Sequence, residues 1–245
     1  AEAMLADMVG LSISLKQNEA YYIPLSHDYQ DVPRQLKEKS VLTAMQSFLA
    51  DEGLTKHGHD LKNLLIILSR KGIDCRGLGC DTMVASYVLN PTQRSFELAD
   101  LLRDHLNRQI ITAKELMGSG AKSLPPAGIP VEKMREYACQ RVDGIVHLAE
   151  DLTRKIGQDC FEDLFHKVEM PLVSVLAAME KKGVLLDLKL FQRLSEETAQ
   201  LLALSEEKIY RLAGERFNIN SPKQLQVVLF DKLGLSRGKR TKEGY

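Results

Sequence analysis

The chain has 245 residues, 44% of them hydrophobic and 27% charged, which suits one large or two modest globular domains and excludes disorder. Lys plus Arg and Asp plus Glu both number 33, so no global basic excess marks a nucleic-acid binder, and any such role must come from local patches. The longest apolar run, Leu64 to Leu68, is far short of the roughly 20 residues a membrane helix needs. The start, Ala1-Glu2-Ala3-Met4, has no signal-peptide character, so a cytoplasmic, reducing setting is expected. Cys75, Cys80, Cys139 and Cys160 show no zinc-type spacing and are read as reduced thiols.

In chain order, Met8–Leu15 and Ala20–Leu25 read as strands of a hairpin turning at Lys16-Gln17-Asn18-Glu19. Ser40–Ala50 has helical spacing. Asp60–Lys71 is a second helix with Leu61, Leu64, Leu65 and Leu68 on one face and Gly72 at its end. Asp81 is placed to cap a third helix that stops at Asn90-Pro91. The Gly-, Ser- and Pro-rich stretch Met117–Pro130 is a loop, and a helix follows from Val131 to about Ile156.

The rest is all-helical. Phe161–Lys182 carries a three-and-four apolar spacing that Pro171 must kink or restart, and Gly183 ends it. Asp187 caps a long helix to about Phe217, with a stripe from Leu190 through Leu201 to Leu212. Asn220-Ser221-Pro222 then opens a last helix running to about Leu233.

No phosphate-loop, nucleophile-elbow or dinucleotide fingerprint is present. His57-Gly58-His59 lacks a third ligand and is read as a surface or hydrogen-bonded pair. From Lys232 to Lys242 five cations (Lys232, Arg237, Lys239, Arg240, Lys242) occur without an acid. Such a run is either a solvated end or a phosphate-gripping loop. Its neighbour, the helix start at Asn220, Ser221 and Lys223, suits a phosphate oxygen.

The string Phe217-Asn218-Ile219-Asn220-Ser221-Pro222-Lys223-Gln224-Leu225, then Leu229-Phe230 and Lys239 to Tyr245, resembles bacterial DNA polymerase I of family A. The resemblance extends back through Glu169-Met170-Pro171-Leu172-Val173, Asp81-Thr82-Met83, Tyr22-Ile23-Pro24-Leu25 and Val9-Gly10-Leu11-Ser12. It implies an α/β ribonuclease-H-like domain of the 3′–5′ exonuclease type, with a mixed sheet, over 1–157. An all-helical start of the polymerase thumb would follow over 158–245, with palm and fingers absent.

In that family the exonuclease holds two metal ions on carboxylates from three motifs. The first motif should lie before Val9-Gly10 by more residues than this chain has. The second motif's Asp falls on Leu64, and the third keeps Tyr137 but has Arg141 where its Asp belongs. Asp60 stands alone, and Asp143 lies about 200° around a helix from Arg141, so neither restores the site. The resemblance therefore implies a scaffold without catalysis or metal, inside a polymerase that itself uses Mg²⁺. Asn220, Ser221, Lys223, Arg237, Lys239, Arg240 and Lys242 are the expected contacts to the backbone of a primer–template duplex, in a monomer. The rival readings are an active proofreading exonuclease and a non-catalytic protein-interaction module.

Overall fold

The structure, a computed structural model, describes residues 3–120 and 123–236. Two compact units emerge, Ala1–Gly183 and Val184–Tyr245.

The first unit opens with the expected hairpin. Strands β1 (Gly10–Lys16) and β2 (Glu19–Pro24) pair antiparallel, with Leu11 opposite Ile23 and Ser12 opposite Tyr22. Asn18, at φ 61°, takes the left-handed conformation that lets the chain reverse at Gln17-Asn18. Helix α1 (Glu38–Ala50) follows. A second, parallel pair was not anticipated: β3 (Lys56–Gly58) beside β4 (Leu78–Asp81), with α2 (Leu61–Arg70) crossing between them. One antiparallel and one parallel pair, in two separate two-stranded sheets, give the mixed α/β frame that was expected.

Helix α3 (Thr82–Leu89) is capped by Asp81, whose side chain accepts the Met83 N–H, and it stops before Pro91. Two further helices went unread in the sequence, α4 (Leu98–Leu106) and α5 (Ala113–Met117), the latter closed by a Thr112–Glu115 capping box. The 117–130 stretch is tied down at its far end. Ala127 C=O accepts the Asp28 N–H at 2.8 Å, and Ile129 C=O accepts the Nδ1–H of His27 at 2.8 Å. That bond fixes the His27 tautomer, so its Nε2 accepts from the Tyr22 hydroxyl at 2.7 Å.

Helix α6 (Val131–Gln158) is the spine of this unit. Met134, Ala138, Leu148, Leu152 and Ile156 form its buried stripe, packed against α3, α4, β1, β2 and β3. At Gly144 a Cβ would lie 2.6 Å from Leu102 Cδ1, so only glycine permits the close crossing of α4. One core joins Leu61, Leu98, Leu101, Leu102, Leu148, Leu152, Ile156 and Phe165. A second lies under α1 with Val41, Leu42, Leu49, Leu68 and Ile73. Helix α2 serves both and is buried on a further side as well. Ile66, outside the expected face, packs with Ala3 and Ala177.

Pro171 acts as the sequence requires. After α7 (Glu162–Leu164), residues Phe165–Glu169 widen into π-helical turns and Met170 N–H reaches back five residues to Phe165 C=O. A proline cannot donate to the carbonyl four residues earlier and its ring crowds that carbonyl, so the wider turn relieves both problems. Helix α8 (Met170–Lys182) then packs on α2, joined by Lys62 to Glu180 at 2.6 Å. The first compact unit runs on to Gly183.

The second unit contains α9 (Leu188–Ala213), capped by Asp187 through the Leu190 N–H at 3.0 Å. It ends at Gly214 (φ 76°), earlier than the expected Phe217. Helix α10 (Pro222–Gln226), with Ser221 as cap, is continued by π-helical turns over Val227–Lys232. Among the described residues no helix is long and apolar enough to cross a membrane. Cys75 and Cys80 are buried thiols, whereas Cys160 is exposed.

Candidate functional site: the cleft above β3 and β4

At the C-terminal ends of β3 and β4 the chain leaves both strands for helices, and one side chain serves both exits. Asp81 accepts the Asp60 N–H at 3.0 Å on Oδ1 and the Leu61 N–H at 2.6 Å on Oδ2, besides capping α3 through Met83. Burial pushes its carboxyl pKa up, opposed by the bonds from the Leu61, Met83, Asp60 and Val84 amides. Asp60 itself sits at φ 59°, a left-handed residue at the mouth of α2, and its carboxylate accepts from Asn63 Nδ2. Gly58 is required just before it, because a Cβ there would lie 2.3 Å from Leu61 Cδ2.

This corner floors a cavity of about 570 Å³. Leu64 from α2 and Arg141 from α6 both line it, so the two positions matched to the second and third exonuclease motifs do share one cleft. Tyr137, one helical turn before Arg141, lies beneath the guanidinium, with the Arg141 Cζ 5.3 Å from the ring centroid. His59 also faces the cavity. Thr82 Oγ1 donates to Gly58 C=O, so it accepts from His59 Nδ1–H at 3.0 Å. Burial, and then the charge of Arg141, push the His59 pKa down to about 4, leaving a neutral ring at physiological pH. His57 lines a different cavity, beside β1, so the two histidines do not converge.

Divalent ions do not fit these side chains. Leucine carries no oxygen, arginine repels a cation, and among the described residues no three His, Cys, Asp or Glu side chains converge. Asp143 is engaged elsewhere. It is buried, it accepts the Asn18 N–H at 2.6 Å and the Arg108 guanidinium, and it lies 3.7 Å from His147 Nε2. Its work is to pin the hairpin turn to α6. Burial raises its pKa, but Arg108, the Asn18 amide and His147 outweigh that and hold it below the usual carboxylate value.

Two members of the cleft escaped sequence reasoning. Arg94 and Phe96 lie on the connection after α3, and both line the same cavity as Arg141. No motif marks them. The only signal was the Asn90-Pro91 stop, which turns that connection back.

In the second unit, Ser221 Oγ lies 3.5 Å from the Gln224 N–H it caps, and Asn220 N–H donates to Asn218 Oδ1 at 3.0 Å. Asn220 and Lys223 are exposed and Ser221 is half-buried. Lys223 lines a shallow cavity of about 410 Å³ with Arg216, Phe217 and Gln224. Lys232 is committed to Glu215 at 2.5 Å, so it is not a spare cation. Arg237, Lys239, Arg240 and Lys242 lie outside the described residues.

The 3′–5′ exonuclease family profile matches residues 2–157, and that of DNA polymerase family A matches residues 188–245. The chain is 36% identical to DNA polymerase I of Pseudomonas aeruginosa over 99% of its length, and 32% identical to DNA polymerase I of Bacillus subtilis over 97%. It spans only 27% and 25% of those proteins. A solved structure of the POL domain of Pol1 from M. smegmatis, in complex with DNA primer-template and dNTP, superposes with a TM-score of 0.68 at 29% identity. It covers 97% of this chain and 36% of that one. The chain therefore belongs to the 3′–5′ exonuclease family of family A DNA polymerases, as a fragment of a bacterial DNA polymerase I that runs on into the polymerase region.

Proposed function

We propose that this stretch is the non-cleaving exonuclease-like domain and first thumb segment of a cytoplasmic DNA polymerase I. The whole enzyme would extend primers with deoxynucleotides by Mg²⁺-assisted phosphoryl transfer and act as a monomer. One observation carries the loss of cleavage: Leu64 and Arg141 line the same cavity, an apolar and a cationic group where the chemistry needs oxygen donors for two metals. The second unit would grip duplex backbone without sequence preference through Asn220, Ser221 and Lys223, together with Arg237, Lys239, Arg240 and Lys242.

The test is a 3′-labelled single strand incubated with the protein in Mg²⁺ or Mn²⁺. No shortening above a metal-free control is expected. Shortening that disappears in Tyr137→Phe or Asp60→Ala would overturn the reading and reinstate an active proofreading nuclease.

A further inference from the structure

We infer that His105 and Lys155 form an acid-released latch, which ties the end of α4 to α6 at neutral pH and lets it go when His105 takes up a proton.

The tie stands on geometry. Along α6, Asp143, His147, Asp151 and Lys155 recur every four residues and share one face, where they meet His105 and Arg108 from the end of α4. Lys155 Nζ lies 2.9 Å from His105 Nδ1 and 2.7 Å from Asp151 Oδ2. The contact with Asp151 is an ion pair without the angle of a hydrogen bond, so the aimed donor of the ammonium goes to the ring. An ammonium only donates, so the ring nitrogen facing it must accept, and His105 is held neutral with its proton on Nε2. A proton arriving at Nδ1 turns that acceptor into a donor and sets a second cation 2.9 Å from the first.

The neighbours decide whether an imidazolium finds a place. Asp151 is the nearest acid, with Oδ2 3.6 Å from His105 Nδ1. It already carries two cations, Lys155 on Oδ2 and the Arg154 guanidinium at 2.6 Å on Oδ1. Asp104, on α4 itself, is paired with Arg103. Helix α3, packed on both α4 and α6, has no charged residue. Burial, and then the charge of Lys155, push the His105 pKa down against the opposing pull of Asp151 and Asp104. The tie is therefore complete above the unfolded value of 6.5 and is lost as pH falls below it.

The rest of the contact does not open with it. After His105 the chain reverses at Asn107 (φ 49°), and the segment that follows is held to α6 by Arg108 on Asp143 and by the Ile111 N–H to Gln140 Oε1 at 2.9 Å. The Asp143 carboxyl is held below the usual carboxylate value, and Gln140 does not titrate. His147 Nε2 stands 3.7 Å from Asp143 Oδ1, so a charge on it adds to this anchor. Acid thus frees the last turn of α4 while residues 108–111 stay moored.

The test uses the whole chain carrying His59→Gln, which removes the acid response of the cleft. The Asn107 and Arg108 amides close the end of α4 on the Arg103 and Leu102 carbonyls. Their hydrogen-exchange protection, corrected for the intrinsic rate, should fall about tenfold between pH 7.5 and pH 5, the scale of one hydrogen bond to a charged group. The Leu148 and Leu152 amides should keep theirs. His105→Gln offers Lys155 an acceptor that cannot titrate and should abolish the fall. Lys155→Met gives Asp151 Oδ2 over to the imidazolium, so the His105 midpoint, read from its Cε1–H NMR shift, should rise and the fall in protection should disappear. A fall of the same size in His105→Gln, or a midpoint left unmoved by Lys155→Met, would overturn the latch.

Discussion

Asp81 and Leu61 are joined by a 2.6 Å bond from the Leu61 amide to Asp81 Oδ2, although they belong to different helix entrances. Through it one carboxylate closes the N-termini of α2 and α3 and fixes the floor of the cleft. Asp81→Ala should cost about 3 kcal/mol in urea unfolding, the sum of two lost caps with buried amides left unpaired. Asp81→Asn keeps one acceptor oxygen and should cost clearly less. Equal destabilisation by the two variants would show that the double cap is not what the carboxylate contributes.

Gly58 should tolerate no side chain. Leu61 is 1% exposed and cannot swing aside from a methyl placed 2.3 Å away. Gly58→Ala is expected to lose about 1–3 kcal/mol by overpacking. The same change at Gly72, where a Cβ meets nothing within 4 Å but φ is 75°, tests backbone strain alone.

His59 predicts a pH dependence. Its folded pKa lies near 4, below the unfolded 6.5, so the unfolded chain takes up the proton first as pH falls. The stabilisation is complete above pH 6.5 and is lost progressively towards pH 4. At pH 5 the wild type should have lost about 2 kcal/mol relative to His59→Gln, compared with the same pair at pH 7. Parallel curves for the two proteins would remove His59 as the source.

The Asp143 bond predicts local loosening. Asp143→Asn should speed hydrogen exchange at the Asn18 amide while Leu148 and Leu152 amides, deep in α6, keep their protection. Uniform loss of protection would instead mark Asp143 as a global support.

For the second unit, replacing Lys239, Arg240 and Lys242 with alanine should lower duplex affinity and reduce the salt slope by up to about 2.7, at about 0.9 per phosphate contact. An unchanged slope in filter binding would refute those contacts.

Much of this was legible from residue chemistry. A turn residue tolerant of left-handed backbone (Asn18), a cap (Asp81) and a ring without an N–H (Pro171) each impose a local geometry that tertiary contacts respected. Strands β3 and β4 were not legible, because three or four residues rich in glycine carry no alternation to read. Helix α4 had Leu98, Leu101 and Leu102 at the right spacing, but over too short a window to stand out. Leu64 and Arg141 could be named from the resemblance. That they meet in one cleft with Arg94 and Phe96 depends on how the 91–96 connection folds back, and no local pattern encodes that.

Leu64 also packs against both hydrophobic cores, bridging the layer under α1 and the layer under α4. A carboxylate at this position would bring charge to the seam between two hydrophobic cores. Position 64 is thus a seam as well as a wall of the cleft, and any side chain placed there must answer to the packing of both halves before it can answer to the chemistry of the cavity.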